Sequence, residues 1–207
     1  MKRVCLVVLL ALGAVPAAAQ LPETELQPSV DTPAQRQSMR TLLTCLARQR
    51  PEWARRTMAQ PYLSQAQARM AASALGGRDS CLMGRNDVEV TFRTSNLVGS
   101  LAELYLRDEI GRVDPARLSQ VLIALDPLNV SEDFALCVTA RNPAVARELA
   151  LSAFGSAAEA EAAERLATGV PACTNQGENL TVDMQALRSL ASFALYRAVS
   201  SIRTASN

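Results

Sequence analysis

The chain has 207 residues, of which 49% are hydrophobic and 20% charged, with 21 basic residues against 20 acidic ones. This balance argues against nucleic acid as the main partner, because phosphate binding needs a strongly basic face. There is no histidine, and the single lysine is Lys2. Ser-His-Asp and Cys-His catalysis and histidine-ligated zinc are therefore excluded, and lysine Schiff bases are excluded for a mature chain that lacks Lys2. Hydrolysis by a carboxylate pair is the common mechanism that the composition leaves open.

The first 19 residues have the pattern of a secretory signal peptide. Lys2 and Arg3 form a basic start, residues 4–15 form an apolar run too short to span a bilayer, and residues 17–19 are alanines of an A-x-A cleavage site. Cleavage after Ala19 predicts a periplasmic or secreted chain with no transmembrane anchor. That chain would carry 19 arginines against 20 acidic residues, a net charge of −1. Residues 20–32 are expected to form a flexible segment.

The spacing of four cysteines indicates an internal duplication. Cys45 and Cys81 lie 36 residues apart, as do Cys137 and Cys173, and the second pair follows the first at an offset of 92. The same offset relates further identical residues: Pro51 and Pro143, Arg55 and Arg147, Ser64 and Ser156, and Gly77 and Gly169. We interpret the chain as two tandem units.

Four cysteines in an exported chain predict two disulfides. Three connectivities exist, and the duplication favours Cys45–Cys81 and Cys137–Cys173, since an inherited bridge would close within its own unit. Ligation of a metal by four thiolates is the alternative, but such sites usually contain close C-x-x-C pairs, which this sequence lacks. We predict neither a metal nor a cofactor.

The first unit, residues 33–112, shows helical patterns in chain order. Residues 32–50 have amphipathic spacing through Met39, Leu42, Leu43 and Leu46. Pro51 predicts a second helix over residues 52–58. Ser64 with Gln67 fits the S-x-x-E/Q capping box, so a third helix should begin there and end near residues 76–77. Residues 97–104 predict the last helix of the unit.

The second unit, residues 131–207, repeats these patterns after a connecting segment, residues 113–130, with a helix over 116–125. Its predicted helices lie around residues 134–138, over 144–154, from the capping box Ser156 and Glu159 to Gly169, and over 187–199. Alternating apolar residues leave short strands open at 88–92 and 180–184. The predicted fold is mainly α, with two disulfide-bridged helical units packed together.

Candidate site residues each have two interpretations. Arg55 and Arg147 recur at one phase of the repeat and would form anion sites, or would pair with carboxylates of their own units. Trp53 would stack on a sugar, or would lie in the core. Glu103, near Asp108 and Glu109, would act as a general acid or base, or would be a surface charge. The arginines crowded near the start of the second helix form a basic patch or a solvated face: Arg48, Arg50, Arg55 and Arg56.

The strings CLARQRPEWARR, CVTARNPAVARE, SLAELYLR and SLASFALYR resemble those of uncharacterised exported proteins of alphaproteobacteria. In that family a Cys-x5-Pro unit and a terminal L-A-E-x-L-Y helix recur. The chain departs from the pattern where Ser192 replaces the acidic residue seen as Glu103. The resemblance implies an exported helical protein and no known activity.

These observations lead to two main functional hypotheses and a third possibility, a subunit that helps to assemble or stabilise an envelope complex. The first is a non-catalytic binding or scaffolding protein of the cell envelope, whose partner is an unknown envelope protein or small ligand and whose groove lies between the units or along their last helices. The second is a cell-envelope hydrolase that uses Glu103 with another carboxylate. No catalytic residue is assigned under the first hypothesis.

Overall fold

The computed structural model describes residues 32–74, 81, 93–174, 180 and 182–205. Over these residues the fold is mainly α, as predicted, without a β-strand. The helices are α1 (Pro33–Gln49), α2 (Pro51–Met58), α3 (Gln65–Ser73), α4 (Thr94–Leu106), α5 (Pro115–Ala124), α6 (Val130–Arg141), α7 (Pro143–Leu151), α8 (Ala157–Ala167) and α9 (Met184–Thr204). Short 3₁₀-helices cover Ile110–Arg112 and Val170–Cys173. The predicted signal peptide, residues 76–77 and the possible strand at 88–92 lie outside the described residues.

Proline fixes the start of four helices. Pro33, Pro51, Pro115 and Pro143 are the first residues of α1, α2, α5 and α7. The proline ring presets the helical φ angle, and the first helical turn has no use for the missing amide hydrogen. The predicted helix boundaries at residues 51 and 143 are therefore confirmed.

The helix starts at Ser64 and Ser156 are also confirmed, with one difference from the expected capping box. Each serine hydroxyl accepts a hydrogen bond from the amide three residues on, at 3.1 Å. The third-residue side chain, however, accepts from the amide of the residue before the cap, namely Leu63 or Gly155. The serine amides are already satisfied, because they donate to carbonyl groups three residues earlier.

Leu63 and Gly155 share one backbone conformation at this point. Their φ angles are 55° and 74°, in the left-handed region that favours glycine. Gly155 has a second requirement, since a Cβ there would lie 2.6 Å from Cγ of Pro33. The loop before α8 therefore packs directly against the start of α1.

Two boundaries in the second unit differ from the sequence predictions. Helix α7 ends at Leu151 rather than at residue 154. The possible strand at 180–184 is not formed at its described residues, because Val182 and Asp183 lie outside regular structure and Met184 begins α9. The Asp183 carboxylate accepts a hydrogen bond from the Ala186 amide at 2.7 Å, and this cap fixes the helix start.

Helix α9 forms the centre of the core. Its most extensive packing is with α4, and it also contacts α5, α6, α7 and α8. The buried side chains of α4 and α9 are mostly leucine and alanine, and they include Phe193, Leu97, Leu101, Ala102, Leu187, Leu190, Ala191 and Ala194. Burying each such leucine contributes about 1.5–3 kcal/mol to folding. The last helices of the two predicted units thus pack together.

Both predicted disulfides are present. Cys45–Cys81 and Cys137–Cys173 each join Cα atoms 5.8 Å apart across a sequence separation of 36 residues. Each bridge closes within one predicted unit, as the duplication hypothesis requires. Superposition of the two units stays a prediction. None of the described helices is both long and apolar enough to cross a membrane.

Candidate functional site: a buried charge cluster beside a basic cleft

Five charged side chains meet in the interior, where charges are normally rare. Arg36 and Arg40 come from α1, Glu103 from α4, Glu159 from α8 and Arg188 from α9. All are buried; Glu103 is 3% exposed, Arg188 2% and Glu159 0%. We call these residues the buried charge cluster.

Arg188 is the centre of the cluster. It binds Glu103 with two hydrogen bonds, from Nε to Oε1 at 2.6 Å and from Nη2 to Oε2 at 3.1 Å. Its Nη1 also donates to Glu159 at 2.7 Å. The guanidinium further donates to the Ala150 carbonyl and to the carbonyl and hydroxyl of Ser152. One side chain of α9 therefore holds α4, α8 and the end of α7 together.

The two arginines of α1 complete the cluster from the other side. Arg36 forms a bidentate pair with Glu159, at 2.5 and 3.0 Å. Arg40 donates through Nη2 to Oε2 of Glu103. The Nε atoms of Arg36 and Arg40 are buried and have no hydrogen-bond partner among the described residues. Helix α1 thus adds two positive charges to the cluster. The carboxylates that pair with them, Glu159 and Glu103, are both shared with Arg188.

The ring of Phe154 lies against all three guanidinium groups. The Cζ atoms of Arg36, Arg40 and Arg188 are 4.8, 4.1 and 4.4 Å from the ring centroid. An aromatic face attracts cations, by about 0.5–2 kcal/mol depending on desolvation. Phe154 therefore stabilises the arginines but brings no charge of its own.

Burial and ion pairing act against each other on the pKa values here. Burial alone would raise the pKa of Glu159, but hydrogen bonds from Arg36, the Gly155 amide and Arg188 lower it overall. Burial likewise opposes the charge of Arg188, yet Glu103 and Glu159 raise its pKa. The pKa of Arg40 is lowered by burial, and repulsion from Arg107 and Arg188 adds to this effect against the attraction of Glu103. Arg40 is thus the arginine of this group whose charge is least compensated.

A cleft of about 610 Å³ opens beside Arg40. One wall is a face of α1, and the other is the end of α4 with Leu104 and Arg107. The lining residues are polar or basic apart from Leu104 and the bridged Cys45: Gln37, Arg40, Thr41, Thr44, Arg48, Gln49 and Arg107. Among the residues that the structure describes, three arginines and no carboxylate line this basic cleft, so its described lining has the charge of an anion-binding site.

Most of the sequence-predicted site residues lie elsewhere. Trp53 is 5% exposed, and its indole donates to the Met70 carbonyl at 2.8 Å, so its ring is part of the core. Arg55 is exposed and pairs with Glu52 of its own unit. Arg147 is half-buried on α7, and it makes no ion pair within the described part of the chain. The structure does not bring these three residues together.

Glu103 lies in the buried charge cluster rather than with Asp108 and Glu109. Its carboxylate is held by Arg40 and Arg188, while Glu109 pairs with Arg203 at the surface. Ser192 directly faces Glu103, with Oγ 3.5 Å from Oε1. A carboxylate at both positions would place two like charges in contact inside the protein, which explains the serine.

Sequence reasoning named Arg48 as part of a basic patch or solvated face, but it missed the arginines of the cluster and Arg107 of the cleft. Arg36, Arg40 and Leu43 follow one another at helical spacing on the buried face of α1. Arg188 lies between Leu187 and Leu190 on α9. Charged residues at the apolar positions of an amphipathic helix could have predicted the cluster, because buried charges need partners of opposite charge.

Among the residues that the structure describes, no group of three or more cysteine, aspartate or glutamate side chains is placed to hold a metal ion. Comparisons of the chain with protein-family models, with curated protein sequences and with solved structures find no match. The functional argument therefore rests on the contacts and charges described above.

Proposed function

We propose that the protein is an exported, non-catalytic binding protein of the cell envelope that holds its ligand in the basic cleft. The observation that carries the proposal is a volume of about 610 Å³ whose described lining contains three arginines and no carboxylate. Small-molecule sites typically have volumes of about 300–1,000 Å³ and a few placed polar groups. The sequence pattern of residues 1–19 and the two disulfides support export to an oxidising compartment.

The hydrolase alternative needs a carboxylate that substrate can reach. Glu103 is buried, and two guanidinium groups hold its oxygens. A general acid or base must also touch the substrate, and both oxygens of Glu103 are already bound by arginine side chains. These contacts favour a structural role for Glu103.

A pull-down from envelope extracts tests the proposal. Wild-type mature protein is compared with Arg48→Glu/Arg107→Glu, which reverses two exposed charges of the cleft. The matched control is Arg69→Glu/Arg117→Glu, which makes the same change in net charge at exposed positions of α3 and α5. We expect a ligand or partner that wild type and control retain and the cleft variant loses. Equal retention by all three proteins would show that the ligand or partner does not bind in the basic cleft.

Turnover is measured in parallel on peptidoglycan, glycoside and ester substrates, with Glu103→Gln as the comparison. We expect no turnover by wild type. Activity that Glu103→Gln abolishes while its circular dichroism spectrum and melting temperature are kept would establish the hydrolase instead.

Scaffolding has one supporting observation of its own. Ile123 and Leu128, near the end of α5, are 73% and 55% exposed, and Val130 beside them is also exposed. Exposed apolar side chains that lie together can mark a protein interface. Ile123→Glu in the same pull-down tests this role: loss of a protein partner by this variant, with retention by the cleft variant, would assign partner binding to α5.

A further inference from the structure

The buried charge cluster contains one more positive charge than negative charge. Arg36, Arg40 and Arg188 face two carboxylates, Glu103 and Glu159. Each carboxylate is shared between two arginines. A buried charge without a full counter-charge is costly, and Phe154 offsets this cost only through its ring. The cluster therefore lacks one negative charge.

Arg40 is the member of the cluster that reaches the basic cleft. Among the described residues its ion pair is with Glu103, and its Nε has no hydrogen-bond partner there. Arg107 lies close enough to lower the pKa of Arg40 by repulsion, and Arg48 adds a third guanidinium. In the described part of the chain neither Arg48 nor Arg107 forms an ion pair. The missing negative charge is thus needed beside Arg40, where the basic cleft opens to solvent and an anion can enter.

The charge count indicates a dianion. Arg48 and Arg107 contribute two uncompensated charges, and Arg40 shares Glu103 with Arg188. The carboxyl end of α4 contributes about half a negative charge from its helix dipole, which is smaller than the charge of the three arginines. Guanidinium groups bind phosphate and carboxylate oxygens in a planar, two-bond geometry. A phosphate monoester supplies close to two charges at neutral pH, whereas a single carboxylate supplies one.

The size of the cleft indicates that the phosphate is attached to an organic group. A volume of about 610 Å³ is much larger than a bare phosphate ion needs, and Leu104 gives one wall an apolar surface. We infer that the basic cleft binds the phosphate monoester of an organic molecule, with Arg40, Arg48 and Arg107 as its ligands. This inference rests on the proposed function and names the chemical class of its ligand. The phosphate comes from a free metabolite or from a lipid headgroup.

Isothermal titration of the full mature protein tests the inference. The probes are glycerol 3-phosphate, glycerol and succinate for the free form, and vesicles of phosphatidylcholine with or without phosphatidic acid for the lipid form. We expect glycerol 3-phosphate or phosphatidic acid vesicles to bind, at least tenfold tighter than succinate or phosphatidylcholine alone. Binding should weaken as salt is added, because the partly exposed arginines are screened.

Variants locate the binding. Arg48→Gln/Arg107→Gln should lose at least tenfold in affinity, whereas Arg69→Gln/Arg117→Gln, with the same change in net charge, should bind as wild type. Both variants alter exposed side chains, and circular dichroism verifies their folding. Three outcomes would overturn the inference. They are equal weakening in the two variants, failure of both phosphate probes to bind, and an affinity for succinate equal to that for the phosphate probe.

The pull-down and the titration distinguish failure of the proposed function from failure of the ligand class. If the phosphate probes do not bind but the pull-down still depends on Arg48 and Arg107, the proposed function stands and the ligand class is wrong. If the cleft variants change neither result, both proposals are wrong.

Discussion

The backbone of Gly99 lies directly against Ser189. A Cβ on Gly99 would be 2.5 Å from the Ser189 Cα and 2.6 Å from its Cβ. This contact joins α4 to α9 four residues before Glu103 on α4, and on α9 it lies one residue after Arg188 and three residues before Ser192. The close approach of the two backbones is therefore a condition for the buried charge cluster.

Gly99→Ala should destabilise the protein by about 1–3 kcal/mol, the usual cost of forcing an extra methyl group into a packed interface. The atom it would meet is backbone, so a rotamer change cannot relieve the clash. Gly111→Ala is the matched control, since nothing lies within 4 Å of a Cβ there. Urea denaturation of both variants measures the difference. Equal stability of the two variants would show that the α4–α9 contact is looser than described.

Arg188→Met should be strongly destabilising. Removal of Arg188 leaves Glu103 and Glu159 buried with fewer partners, and loss of one member of a buried ion pair typically costs about 3–5 kcal/mol. Arg165→Met breaks an exposed pair with Glu148 and should cost less than about 1 kcal/mol. Urea midpoints of the two variants provide the comparison. A small effect at Arg188 would mean that the cluster relaxes without it.

The charge of Glu159 should stabilise the fold most at neutral pH. Its folded pKa is lowered, so its contribution is present above the ordinary carboxyl pKa and is lost as pH falls through the folded value. Glu159→Gln should therefore be less stable than wild type near pH 7, with a difference that shrinks on acidification. Gln67 shows that glutamine makes the same loop bond to the preceding backbone amide. A pH-independent difference would contradict this.

Glu132 should have the opposite pH dependence. It is fully buried and pairs with Arg197, but burial raises its pKa against the lowering effects of Arg197 and of backbone hydrogen bonds from Tyr62 and Leu128. A raised folded pKa gives stability that is present below the ordinary carboxyl pKa and is lost as pH rises through the folded value. Glu132→Gln should therefore gain stability relative to wild type as pH rises. Unfolding free energies from pH 3 to 8 measure both glutamate variants, and slopes of the same sign would refute one assignment.

Each disulfide should stabilise the exported protein separately. In the chain-entropy model a loop of this length contributes roughly 4 kcal/mol, and measured values are often smaller. Replacing Cys45 and Cys81 by serine, or Cys137 and Cys173, should lower the melting temperature in both cases. Peptide mapping of the non-reduced protein gives the connectivity, and a bridge between the units would contradict the duplication hypothesis.

The sequence by itself determined the helical fold, most helix starts and both disulfides. Prolines, serine caps and cysteine spacing act within a few residues or within one repeat, so their consequences are local. Pro51 begins α2 and Ser156 caps α8 through interactions within a few residues of each.

Only the tertiary structure decided which charges meet. Arg36, Arg40, Glu103, Glu159 and Arg188 lie as far apart as 152 residues in the sequence, and their pairing depends on how α1, α4, α8 and α9 pack. The same burial that brings Glu103 to Arg188 removes it from solvent, so a candidate catalytic residue became part of the interior. The basic cleft also depends on tertiary packing. Arg48 lies on α1 and Arg107 directly follows α4, and only the packing of these two helices brings both arginines to one opening.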